Sequence, residues 1–338
     1  MVADASDPRH LRTSSTPLTG RYIDAMSGDL TLLPAVDETM RCADHARGLA
    51  LDPAGTAIRA DVLVAAEVPL PWPKPVFAHE ALTGVREAMT ESPIPARVLA
   101  AVPRNPALGL DVVVYHRQPW GAERQVWRTD QAGVAAVAVA LLEGRTPADA
   151  VDVTPDVDHV AEVWICTQGS HDLCCGSDGT RFASDVDGQW DDVVVRRVSH
   201  TGGHRFAPTA VTLPDGRMWA YLDPDGLRDI LTRSGDAATV ADRCRGWWGA
   251  ATGPAQVAER ALLAHEGWTW EQAPRTAEIV GEADGVVTVK VTAGEGGLRT
   301  WMAEVRPGRD VPTIACRAPG GQPSKPGVEW ELIDFHPA

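Results

Sequence analysis

The sequence predicts an α/β chain made of two successive β-α-β-β-β-α halves followed by a small antiparallel β extension. Three observations carry that expectation: short apolar, β-branched runs interleave with longer runs of helical period, their order repeats, and a meander broken by glycine-rich turns closes the chain. At 338 residues the chain exceeds one ordinary domain, and 44% hydrophobic residues are enough to bury a core in each half.

Residues 1–38, rich in Ser, Thr, Asp and Pro, read as a flexible lead-in. The first half, 39–145, places a strand at 61–68, a helix at 79–91, strands at 97–102, 111–116 and 124–128, and a helix at 131–142. Its longest apolar run, 134–142, is far too short to span a bilayer. A polar segment with two prolines, 144–158, separates the halves. The second half, 159–235, repeats the order. A strand at 160–165 leads to a helix at 179–190, a strand at 192–198, a hairpin of 209–213 and 218–222 across Pro214-Asp215-Gly216, and a helix at 226–233. The remainder, 236–338, opens with a helix from Pro254 to about residue 265. Its stripe of Val257, Ala261, Leu262 and Leu263 faces a core. Strands follow at 277–281, 286–291, 300–305, 311–316 and 329–333, with Asp284-Gly285 as one turn.

Chemistry concentrates in the second half. Cys166 and Cys175 have eight residues between them, and His200 and His204 follow with three residues between them. Two thiolates and two imidazoles suit either a tetrahedral zinc ion or an iron–sulfur cluster in which histidines replace two cysteines on one iron. Zinc knuckles hold each cysteine pair two to four residues apart, whereas eight intervening residues make a loop wide enough to wrap a larger object. Gly169 and Gly176 permit close backbone approach around the cysteines, and Gly202-Gly203 let a short loop aim both rings at one point. Cys174 adjoins Cys175 and competes with it for the ligand role, although successive side chains rarely face the same centre.

These residues carry a resemblance. The segment 160–221, with Cys166-Thr167-Gln168-Gly169, the Cys174-Cys175 pair and His200-Thr201-Gly202-Gly203-His204, resembles the sucrase/ferredoxin-like family of thioredoxin-like [2Fe-2S] ferredoxins with mixed Cys2His2 ligation. Weaker similarity extends to Arg41-Cys42, Gly55-Thr56-Ala57 and 244–254. The resemblance implies that Cys166, Cys175, His200 and His204 are the cluster ligands. The repeated element order makes two thioredoxin-like β-α-β-β-β-α halves related by duplication the expectation, with 39–145 lacking ligands and 159–235 forming the ferredoxin domain.

Two thiolates and two neutral imidazoles bring an oxidised [2Fe-2S] core from 2+ to zero, against −2 for four thiolates, so the added electron meets less repulsion. The related Rieske ligation spans roughly −150 to +300 mV. Ligating imidazoles also regain a proton on reduction, which predicts a potential that falls as pH rises. The expected function is thus proton-coupled, one-electron transfer by a carrier or reductase component rather than a stand-alone enzyme. No Gly-x-Gly-x-x-Gly follows a strand, so an NAD(P)H-dependent flavoprotein reductase is the expected partner.

The alternative is a structural zinc-binding thioredoxin-like module in a binding protein. A thiol-disulfide enzyme using Cys174 and Cys175 is disfavoured, because vicinal cysteines form no relaxed disulfide and Cys-x-x-Cys is missing. No acid/base carboxylate pair or sugar site marks a hydrolase. Thirty-one Lys and Arg against 46 Asp and Glu give a net charge of −15, which argues against nucleic acid or an anionic membrane as partner. Against that background Arg196, Arg197 and Arg205 around the histidine loop read either as a solvated strand end or as a basic docking rim. Six sparse cysteines and a start without an apolar core segment point to the cytoplasm. Cys42, Cys244 and Cys316 have no partner spacing and read as structural. The pair Trp247-Trp248 reads as core packing.

Overall fold

Runs of β-branched residues that are apolar on both sides make strands buried on both faces, and the computed structural model builds its larger sheet from them. Residues 29–118, 121–154, 161–271, 273–294, 298–316 and 318–338 are described. The expected lead-in up to residue 28, and residues 155–158 of the expected linker, lie outside the described residues.

The first half contributes β1 (Val62–Glu67), β2 (Ala96–Ala101), β3 (Leu110–Gln118) and β4 (Gly121–Thr129), with helices α2 (Val85–Glu91) and α3 (Val134–Leu142). The second contributes β6 (Ala161–Cys166), β7 (Val193–Val198), β8 (Ala210–Leu213) and β9 (Arg217–Trp219), with α4 (Thr180–Val186) and α5 (Pro224–Thr232). In each, the first strand runs parallel to the second and antiparallel to the third, and the third pairs antiparallel with the fourth. The halves join through β2 and β7, where Ala101 faces Val198. A short β5 (Val151–Asp152) adds one edge, on part of the segment expected to be a linker, and β10 (Cys244–Trp247) adds the other. The sheet order is β10-β9-β8-β6-β7-β2-β1-β3-β4-β5.

Alternation along each strand divides the core in two. Val62, Val64 and Ala66 of β1 pack under α2 and α3. Val163 and Ile165 of β6 pack under α4, α5 and α6 (Ala237–Ala241). Leu63 and Trp164 point to the opposite face, where they meet Val257, Ala258 and Leu262 of α7 (Gly253–Glu266). Beyond α7 lies the antiparallel sheet β11 (Arg275–Ala283), β12 (Val286–Ala293), β13 (Arg299–Asp310) and β14 (Val328–Pro337), whose Val289, Val291, Trp301 and Val305 complete the same core. This is a mixed α/β architecture with one large mixed sheet and a separate four-stranded sheet.

Three elements depart from the sequence expectation. Residues 79–91 are not one helix: the His79 imidazole accepts from the Ala81 N–H to cap a 3-10 turn, and Gly84, at φ 81°, then reverses the chain before α2. Residues 311–316 form no strand; Pro312 removes a ladder donor and only an isolated bridge pairs Thr313 with Lys325. Finally α1 (Cys42–Gly48), which no apolar period announces, packs on the turn that carries His204.

Candidate metal centre

β6 ends at Cys166, which puts the first sulfur at the carboxyl end of a central strand. From there the chain folds back on itself. A Cβ on Gly176 would stand 2.4 Å from the Gly169 Cα, and one on Gly179 would stand 2.0 Å from the Cys166 carbonyl oxygen, so both close approaches need glycine. The chain re-enters helix at residue 173 and passes through a π turn, Cys175–Gly179, before α4. Local π geometry of this kind often accompanies functional sites. Gln168 ties the two ligand loops together, its amide nitrogen donating to Pro73 O at 2.9 Å while its oxygen accepts from the His200 N–H at 3.1 Å.

The second loop leaves β7. Gly202 and Gly203 both adopt left-handed backbone, φ 74° and 63°. A Cβ on Gly203 would meet the Arg245 guanidinium at 2.7 Å. Arg245, on β10, lies beneath this loop and donates to the carbonyls of Thr201 and Gly202 at 3.4 and 3.3 Å, and to Thr56 Oγ1 at 3.1 Å. Burial pushes its guanidinium down to about 10, while the sulfurs of Cys166 and Cys175 pull it back towards the charged form.

The outcome is one cluster of donors. Single ligand atoms of Cys166, Cys175 and His200 lie within 4.8 Å of one another, with both cysteines buried and His200 half-buried. Hydrogen bonding from Cys175, opposed by burial, holds the Cys166 thiol well below its ordinary range, and Cys175 is correspondingly raised. The His200 Nδ1 is buried without a hydrogen-bond partner. His171 stacks on His200, with ring centroids 3.7 Å apart and planes 15° apart. Burial, and then the nearby His200 charge, push His171 down to about 4. The His204 ring lies 6.0 Å from that of His200, and its Nδ1 is turned away, 3.0 Å from Asp172 Oδ2 and 3.1 Å from Cys42 Sγ.

Cys174 does not join that cluster. Adjacent positions on a helical turn point in different directions, and Cys174 instead faces Cys42, Cys316 and Asp172. Cys42 and Cys316, expected to be isolated, are therefore gathered from the two ends of the described chain. Cys244 stays apart, 3.3 Å from the Arg217 guanidinium. The reading of Arg196, Arg197 and Arg205 as a solvated strand end or a basic rim is corrected for two of the three, while Arg197 is partly exposed. Arg196 is 3% exposed and buried between Glu67 and Glu162, and Arg205 is 8% exposed and donates to Val311 O, so neither offers charge to a partner.

Sequence reasoning missed Arg245, Asp172 and His171 as parts of the site. The last two lie inside the Cys-x8-Cys loop and could have been found as titratable groups there; Arg245 had no local signal.

A family model for sucrase/ferredoxin-like proteins matches residues 55–246, more than half of the chain. The chain belongs to the sucrase/ferredoxin-like family. No curated protein and no solved structure matches it significantly. Membership and the Cys/His/Asp groups together define a redox or metal-binding class of protein. Among the described residues no helix is long and apolar enough to cross a membrane.

Proposed function

We propose that Cys166, Cys175, His200 and His204 hold a [2Fe-2S] cluster, and that the protein carries single electrons between an NAD(P)H-dependent flavoprotein reductase and an acceptor in the cytoplasm. On this reading the chain is a carrier or reductase component. It comprises a lead-in to residue 38, a thioredoxin-like half without ligands at 39–145, a thioredoxin-like ferredoxin half at 159–235, and a closing extension at 236–338. The repeated strand pairing supports the two halves.

One observation carries the assignment: two buried sulfurs and a ring nitrogen of His200 lie within 4.8 Å of one another, on a ring whose Nδ1 is buried without a hydrogen-bond partner. A buried, unpaired imidazole nitrogen is costly unless something else binds it. His204 is not among the three donors that converge, and on this reading it supplies the fourth ligand through its other nitrogen. Asp172 accepts from Nδ1, which fixes the tautomer and leaves Nε2 as the donor, the usual carboxylate–histidine support of a metal ligand.

When bound, such a cluster supplies reversible one-electron chemistry linked to protonation of its histidines. The chain's residues prepare the pocket for it. Arg245 sets a buried positive charge against the sulfurs, and His171 covers one face of His200. His200, half-exposed while both cysteines are buried, is the ligand nearest solvent and the natural edge for exchange with a docked partner.

Iron and acid-labile sulfide analysis of the purified protein, with its visible spectrum, tests this. The expected result is about two of each per chain and a red-brown colour that His200→Ala abolishes. A colourless protein holding metal but no sulfide would overturn it.

A further inference from the structure

We propose that Cys42, Cys174, Cys316 and Asp172 form a second metal site, for a single tetrahedral zinc ion, beside the Cys166/Cys175/His200/His204 set. The three sulfurs are mutually close: Cys42 to Cys174 is 3.7 Å, Cys42 to Cys316 is 3.4 Å and Cys174 to Cys316 is 3.3 Å. Asp172 Oδ1 lies 3.4 Å from both Cys42 and Cys316. A zinc ion with Zn–S of about 2.3 Å and Zn–O of about 2.0–2.2 Å requires tetrahedral edges of roughly 3.8 Å between sulfurs and 3.5 Å between sulfur and oxygen. These five separations stand within about half an ångström of those edges, and all four ligand atoms lie within 4.8 Å of one another. An iron of a bridged iron–sulfur cluster takes at most two protein ligands and the next iron's ligands lie much further off, so three mutually close sulfurs do not fit one.

The surroundings match a closed structural site. The Cys174 N–H donates to Asp172 Oδ1 at 2.9 Å, and the His204 Nδ1 lies 3.0 Å from Oδ2, so each carboxylate oxygen is oriented from outside. Cys42, Cys174 and Asp172 are buried, and Cys316, partly exposed, marks the way in. A disulfide is the competing use of these thiols. At 3.3 Å or more no pair is bonded, and pairing any two leaves the third without a partner sulfur. Three distant segments, α1, the ligand loop and the residues around 316, would be joined by the ion. Asp172 would touch both centres, as a zinc ligand through Oδ1 and as the partner of His204 through Oδ2.

Elemental analysis and zinc-edge X-ray absorption of the full-length protein, purified under reducing conditions, test the proposal. About one zinc per chain is expected, with three sulfur and one oxygen neighbours, and Cys316→Ser should weaken zinc retention against a chelator by more than about tenfold while visible bands from the other centre persist. The Cys244→Ser variant should keep the zinc. Absence of zinc from reduced wild-type protein, a disulfide among Cys42, Cys174 and Cys316, or a zinc shell of two sulfurs and two nitrogens would each overturn it. The last would place zinc in the Cys166 pocket and defeat the cluster assignment as well. Three sulfurs and one oxygen in a colourless protein would defeat the cluster alone.

Discussion

Gly203 shows how a single missing side chain shapes the centre. Its left-handed backbone and its 2.7 Å approach to Arg245 leave no space for a methyl group. Gly203→Ala should cost at least about 1–2 kcal/mol and displace His204, seen as a lower urea midpoint and weaker metal retention. His45 on α1 offers a test by pH. Burial, and then the charge of Arg205, hold its folded-state value below the ordinary 6.5, and its Nε2 is buried without a partner. Below pH 6.5 the unfolded chain therefore takes up a proton that the folded chain resists, so this contribution to stability is complete above 6.5 and lost as pH falls through the folded value. Between about pH 7.5 and 5.5 the melting temperature of His45→Gln should fall less than that of wild type. At this scale the convergence of Cys166, Cys175 and His200 was legible because glycines and fixed spacing surround them. Cys42 and Cys316 were not, since 274 residues separate them and only tertiary folding brings their sulfurs within 3.4 Å.

Elements were legible where periodicity was strong. The β-branched run of β3 and the hairpin partner β9 announced themselves; α5 did too, although it starts at Pro224 behind its Asp223 cap, ahead of the expected 226, whereas β10 is too short to show a pattern. What positions β9 is a buried charge network: Arg217 donates to Glu259 on α7 at 2.7 and 2.8 Å and to Glu271 at 2.8 and 2.9 Å, with all three side chains at most 2% exposed. Removing the cation leaves two buried carboxylates sharing only Arg275, which lies 2.7 Å from Glu259 and 3.4 Å from Glu271. Arg217→Met should destabilise the protein by about 3–5 kcal/mol, read from chemical denaturation, and the loss should shrink when Glu259→Gln and Glu271→Gln are added. The seam between α7 and β14 is similarly tight. A Cβ on Gly253 would stand 2.3 Å from the Trp330 indole nitrogen, so Gly253→Ala should loosen the second sheet and speed proteolysis there.

Across the whole molecule, β2 meeting β7 joins the strands of 62–129 and those of 161–219 into one mixed sheet. That junction was not legible, because a single register pair and its flanking backbone bonds leave no mark on composition. Nor was the burial of Arg196, whose partners Glu67 and Glu162 come from two different strands. The central claim is that two sulfurs and two imidazoles from the second half grip a pair of bridged irons. Pulsed electron paramagnetic resonance of the dithionite-reduced protein tests it most directly. The account predicts a half-integer spin signal coupled to two histidine nitrogens, one coupling vanishing in His200→Cys and the other in His204→Cys. A reduced protein whose signal carries no nitrogen coupling, or no signal at all, would contradict it.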